Sequence, residues 1–115
     1  MGDGRGASPP GRPVKVVVLA SAVGDLRSAR RFYARQGGRQ LGERFLDVLS
    51  GTISGLSESA GLHARHWGLY RALSPRFPYS VYYDIAGGVV RVHAVLDNRR
   101  NPETLAARLF RTPHS

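Results

Sequence analysis

Residues 77 to 85 read FPYSVYYDI, and after Ala86 and the pair Gly87-Gly88 the chain continues as VVRVHAVLD from Val89 to Asp97. In the first segment Phe77, Tyr79, Val81, Tyr83 and Ile85 alternate with Pro78, Ser80, Tyr82 and Asp84, the period of two that a pleated strand with one buried face requires. Two adjacent glycines supply the positive φ angles of a tight hairpin turn. In the returning strand Val90, Val92, Ala94 and Leu96 are expected to face inward, with Arg91, His93 and Asp97 on the other side. This antiparallel pair is the centre of the expected fold.

Upstream, Trp67, Leu69, Arg71 and Leu73 alternate with Gly68, Tyr70 and Ala72 and end at Ser74-Pro75, which predicts a further strand closed by a turn. Before it lies a helical stretch from about Arg39, with apolar residues Leu41, Phe45, Val48, Leu49, Thr52, Ile53 and Leu56 at a 3.6-residue period. Gly42, Gly51 and Gly55 each weaken that helix by about 1 kcal/mol relative to Ala and are expected to permit close helix packing. An earlier helix over Ala22 to Arg35 carries Leu26, Ala29, Phe32 and Tyr33, with Ser21 as expected N-cap and Gly37-Gly38 as its stop. VKVVVL, residues 14–19, is a short β-branched run apolar on both faces, as in a strand covered by helices. Downstream, Asn101-Pro102-Glu103 opens a last short helix, with Asn as cap, Pro at the first helical position and Glu at the positive dipole end.

The order β-α-α-β-β-β-α predicts an α+β fold, a two-helix hairpin packed on one face of a mostly antiparallel four-stranded sheet. The other face is left exposed or covered by a partner. Residues 1–13, MGDGRGASPPGRP, have too little apolar surface to offset ordering entropy and are read as a flexible tail before a single domain over 14–115. The chain of 115 residues is 42% hydrophobic and suits one domain with a real core. It has no cysteine, which excludes a disulfide scaffold and thiolate metal sites. The absence of a long apolar run predicts a cytoplasmic protein with no membrane partner.

Charge is the strongest compositional fact. Against 8 Asp+Glu stand 17 Lys+Arg, a net +9. The tail holds Arg5 and Arg12 against Asp3, so 9 minus 1 leaves +8 on the domain. Lys15 is the only lysine, leaving 17 minus 1, or 16, arginines, whose planar fork suits phosphate and carboxylate. A GC-rich coding bias would give the same ratio. Either way, anionic partners are expected.

Arg27, Arg31 and Arg35, with Arg30 beside them, form a positive stripe on the first helix, either a solvated face or a docking stripe for an acidic partner. His63-x-x-His66 lacks a third ligand, so no metal site is expected. Ser21, Asp25 and His93 have the residue types of a hydrolase triad without a nucleophile elbow. The glycines of GDGRG precede the first strand, where no phosphate loop can form, and no cofactor is expected. The remaining constellation, Arg71, Arg76, Tyr82, His93, Asp97, Arg99 and Arg100, falls on or beside the outer face of the strand pair and its exit. There an Arg-lined sheet with aromatics could clamp RNA phosphates and stack a base, while His or Arg serves phosphodiester cleavage.

FPYSVYYDI, the Gly-Gly turn and VVRVHAVLDNRRNPE, preceded by two helices and a strand bearing YRAL, resemble the RelE/ParE superfamily of type II toxin–antitoxin toxins over about residues 14–110. The FPYxxYY and VLxxRRxP segments resemble its ParE-like, plasmid-stabilisation branch. The resemblance implies a toxin held by an acidic antitoxin in a hetero-oligomer, acting on DNA gyrase by binding. Its RelE-like alternative is a metal-independent mRNA endonuclease on the ribosome, which would use Arg71, His93 and Arg99. In the cutting branch an Arg normally follows the Tyr of the strand after Tyr70 to Leu73, where this chain has Ser80, and a Tyr lies near the last helix, where Glu103 to Leu109 has none. Many ParE-like sequences have His at the place of Asp97. The implied binding residues are Arg27, Arg31, Arg35, Arg76, Tyr82, Asp97 and Arg100. Without a cation at Ser80, transition-state stabilisation of about 3 to 4 kcal/mol is missing and cleavage is expected to be poor. A non-toxic basic nucleic-acid-binding module is the reading from a third class.

Overall fold

The structure of the protein is a computed structural model describing residues 15–110. The expected tail and the domain boundary at residue 14 lie outside the described residues. The elements are β1 (Lys15–Val18), α1 (Ala20–Gly37), α2 (Arg39–Ser59), β2 (Arg65–His66), β3 (Leu69–Leu73), β4 (Tyr79–Ala86), β5 (Val89–Asp97) and α3 (Pro102–Phe110). The sheet order is β1-β5-β4-β3-β2, with β1 parallel to β5 and every other pair antiparallel. No described helix is long and apolar enough to cross a membrane.

The expected α+β architecture is present, with five strands where four were expected. The run from Trp67 to Leu73 is not one strand, because Trp67 (φ 54°) and Gly68 (φ 81°) both turn left-handed and fold the two-residue β2 back on β3. Two consecutive positive φ angles make the tight turn whose twist suits a hairpin.

Burial of the α2 stripe drives the core. Phe45, Leu49, Ile53 and Leu56 pack with Ala22 and Ala29 of α1 against Val81, Tyr83, Val90 and Val92. Tyr33, Phe45, Phe77 and Tyr79 form an aromatic knot with centroids 4.9 to 6.1 Å apart, joining both helices to the start of β4. Only one of the three α2 glycines serves helix packing. A Cβ on Gly42 would meet the Arg30 carbonyl at 2.8 Å, whereas Gly51 and Gly55 face open space.

The inward face of β5 changes sides partway. Val81 pairs with Val95 and Tyr82 with Ala94, but Tyr83 pairs with Val92, so His93 is an extra residue, a β-bulge. Val90, Val92 and Val95 therefore face the helices, while Ala94 and Leu96, expected on that face, join Tyr82 on the other. That far face is not left bare, since Leu105 and Leu109 of α3, with Trp67 and Leu69, cover it. Tyr82, expected on the outer surface, is 1% exposed.

Two caps differ in outcome. Asn101 Oδ1 accepts the Glu103 N–H at 2.7 Å, the expected cap of α3. Ser21 is not a cap, because α1 begins earlier, on the Leu19 carbonyl, and no side chain caps it.

A candidate partner cleft and an arginine face

The parallel ladder ends early, and that sets up the site. β1 stops at Val18, so β5 has no strand neighbour on that side beyond Val92. The first turns of α1 take over: Ser21 Oγ donates to the His93 carbonyl at 2.7 Å, and Asp25 Oδ2 accepts the Val95 N–H at 2.9 Å. Arg108 of α3 then donates to both Asp25 oxygens at 2.8 Å. Burial pushes the Asp25 carboxyl above its ordinary range, while the Val95 N–H and the Arg108 charge pull back. These contacts assign Ser21, Asp25 and His93 to fastening the helix to the sheet edge, and they form no triad.

Between α1, the end of β5 and α3 opens a cavity of about 300 Å³. Ala29, Val95 and Leu96 line it beside the polar Asp25, Ser28 and Arg108, and Phe32 stands at its wall 39% exposed. The Tyr79 phenol also lines it, its pKa pushed up to about 12 by burial and by the neighbouring Tyr33 and Asp97. Over the mouth stand Asp97 and Arg100. Asp97 is gripped in two parallel bonds by Arg99, at 3.0 and 2.7 Å, and also accepts the Arg99 N–H at 2.8 Å. Those bonds to Arg99 hold its carboxyl below the ordinary range. Arg100 is exposed and enters none of the described ion pairs. A cavity with apolar patches, a ring at its wall and a guanidinium without a described ion-pair partner can take an apolar side chain next to a carboxylate.

The residues implied for cleavage are not brought together. Arg71 is half-buried on the far face, where its Nε donates to Ser80 Oγ at 3.0 Å and its Nη1 lies 3.4 Å from His66 Nε2. Ser80 in turn donates to Asn98 Oδ1. His93 sits in the bulge, its Nε2 3.1 Å from Asp84 Oδ2, off the angle of a hydrogen bond. Asp84 also takes two bonds from Arg91, at 2.8 and 2.6 Å, which hold its carboxyl low. Arg99 is committed to Asp97 at the opposite side of the sheet. No described hydrogen bond or ion pair joins Arg71, His93 and Arg99.

Of the residues implied for binding, Arg100 and Asp97 are at the cleft, and Tyr82 is withdrawn into the far-face core. Arg76 is exposed in the β3–β4 loop at φ 71°. Arg27, Arg31 and Arg35 are exposed on α1, with Arg30 alongside. Sequence reasoning missed Phe32, Arg108 and Asn98 as site residues and gave Asp25 no place at the cleft. Among the described residues no group of three or more His, Cys, Asp or Glu could hold a metal ion.

No family model matches the sequence, and no curated protein matches it. A chain in a solved structure titled "Chromosomal ParDE TA system from P. aeruginosa" is similar in fold, with a TM-score of 0.66 over 71% of this chain and 92% of that one, at 14% sequence identity.

Proposed function

We propose that this chain is the toxin of a type II toxin–antitoxin module of the ParE-like kind, held by an acidic antitoxin in a hetero-oligomer in the cytoplasm, and that it inhibits DNA gyrase by binding. The fold likeness to a chain of the ParDE system supports this reading, since the likeness runs over nearly all of that chain. The observation that carries it is the cleft: the ring of Phe32 and the apolar Ala29 and Val95 share it with Arg100, which has no described ion-pair partner. An antitoxin segment with an apolar side chain beside a carboxylate would fill both parts at once.

Inhibition by binding is favoured over cleavage by the state of Arg71. Its guanidinium is spent on Ser80 and lies against His66, and at Ser80 there is a hydroxyl and no second cation. A phosphodiester in its transition state would find one cation there instead of a clamp. The test is a supercoiling reaction with the purified, antitoxin-free chain. Loss of supercoiling at saturating chain, restored by an acidic antitoxin, is expected. Unchanged supercoiling with codon-phased breaks in translated mRNA would replace gyrase by the ribosome.

A further inference from the structure

The two long helices present opposite electrostatic faces to solvent. On α2 the exposed charges are Arg39, Glu43, Arg44, Asp47 and Glu58, mixed in sign and summing to −1. On α1 they are Arg27, Arg30, Arg31 and Arg35, all positive. The one carboxylate of α1, Asp25, is turned inward to Val95 and Arg108 and neutralises none of them. None of the four arginines enters a described ion pair.

Arg27, Arg31 and Arg35 are successive i, i+4 neighbours, so they rise along one side of the helix at about 6 Å per step and span about 12 Å. Like charges at that spacing destabilise a helix by a few tenths of a kcal/mol per pair, so the row works against α1 itself. A protein partner is poorly suited to it. Protein interfaces are centred on buried apolar or aromatic anchors and are depleted of charge at the centre, whereas the ring beside this row, Phe32, is turned to the cleft. Single strands are poorly suited too, because they are gripped by aromatic platforms on which bases stack, and the exposed ring beside the row, Phe32, lines the cleft instead. A rigid straight row of forks fits a rigid line of phosphates, and duplex nucleic acid carries one charge per about 1.7 Å of axis.

From this we infer that α1 is a phosphate rail which lies along the backbone of duplex DNA without reading its sequence. The choice of DNA over duplex RNA rests on the gyrase reading above, while the rail itself rests on the charge geometry. On that reading the cleft holds the antitoxin and the rail contacts the DNA on which the target works.

The test uses the full chain, a fluorescent 20-base-pair DNA duplex and anisotropy titrations across a range of salt. Each phosphate contact contributes about 0.9 to the slope of log K against log salt. The triple variant R27Q/R31Q/R35Q is expected to lose about 2.7 from that slope, and R27K/R31K/R35K to keep it, because point charges suffice for counterion release. Arg44→Gln on α2 should leave the slope within one unit. A glutamine triple variant that folds with the wild-type circular dichroism and keeps its slope overturns the rail, as does a lysine variant that loses it. Tighter binding to a duplex RNA or a single strand of the same length overturns the assignment to DNA. Because gyrase is absent from this titration, failure of the gyrase reading shows separately, in the supercoiling reaction.

Discussion

The cleft and the arginine face share the turns of α1 and are built on opposite plans. In the cleft nearly every charge is answered: Asp25 by Arg108 and the Val95 N–H, Asp97 by Arg99. Among the described ion pairs Arg100 alone of the cleft charges is left over, and it lines the same cavity as Phe32. On the outer face none of the four arginines enters a described ion pair. A paired, shaped site discriminates among partners through packing and through the penalty of leaving buried groups unpaired. An unpaired row discriminates only by sign and density of charge. One molecule thus offers a selective surface and an unselective one, joined by the same α1 backbone.

Removing Asp25 attacks that contrast at its root. Asp25→Ala leaves the Val95 N–H without its acceptor and frees Arg108, so the cleft loses its wall and gains an unanswered cation. An orphaned buried donor and a broken part-buried pair together predict a loss of about 2 to 4 kcal/mol of stability, read from the urea midpoint. Asp25→Asn retains an acceptor and should lose less. If the alanine variant is as stable as the wild type, the carboxylate is not the fastener between α1, β5 and α3.

The contrast sharpens when each surface is tested with an acidic partner. Phe32→Ala removes the ring at the cleft wall and Arg100→Gln removes the free fork. Together they should weaken binding of an acidic antitoxin by about 2 to 3 kcal/mol, on the scale of interface anchors. The R27Q/R31Q/R35Q variant should change the same affinity by less than about 1 kcal/mol, because exposed charges contribute little to a close-packed interface. The reverse ranking in a calorimetric titration would exchange the two assignments.

The difference in how these regions could be read from sequence follows from the same physics. The arginine row was legible because it is local: four residues on one helix share a face by periodicity alone. The β4–β5 hairpin and the α2 stripe were legible for that reason too. The cleft was not, since Asp25 and Arg108 are 83 residues apart and meet only because β1 ends at Val18 and leaves β5 open to α1. The bulge at His93 was equally hidden. A regular alternation through VVRVHAVLD puts Ala94 and Leu96 inward, and one unpaired residue reverses every side chain after it. Tyr82 illustrates the remaining blind spot. Its register was right and its environment was not, because α3 and the Trp67 turn cover a face that strand periodicity leaves open.

The cleft should also respond to acid where the arginine face does not. The Asp97 carboxyl is held below its unfolded value by Arg99, so its contribution is fully present above about pH 4 and is lost as pH falls through the folded value. Asp97→Asn should therefore be less stable than wild type at pH 6, with the difference closing as pH falls below the ordinary carboxylate range of about 4. Denaturant midpoints at a series of pH values check this, and a gap that stays constant with pH would mean that the grip of Arg99 on Asp97 does not depend on charge.

The smallest expected effect separates both surfaces from a residue that belongs to neither. Arg76 is an arginine of the sequence-level binding set, yet it stands in the β3–β4 loop at φ 71°, where a Cβ meets the backbone and glycine does not. The left-handed penalty of about 1 to 2 kcal/mol is partly returned by the entropy a glycine loses on folding. Arg76→Gly should thus raise stability by about 0.5 kcal/mol, read as a small upward shift of the thermal midpoint. Its affinity for the acidic partner should stay as it was, and its DNA slope should fall by no more than one contact. A variant that gains stability but loses partner affinity by tenfold or more would mean that the strained backbone at Arg76 is maintained for a contact, and would extend the selective surface beyond the cleft to the β3–β4 loop.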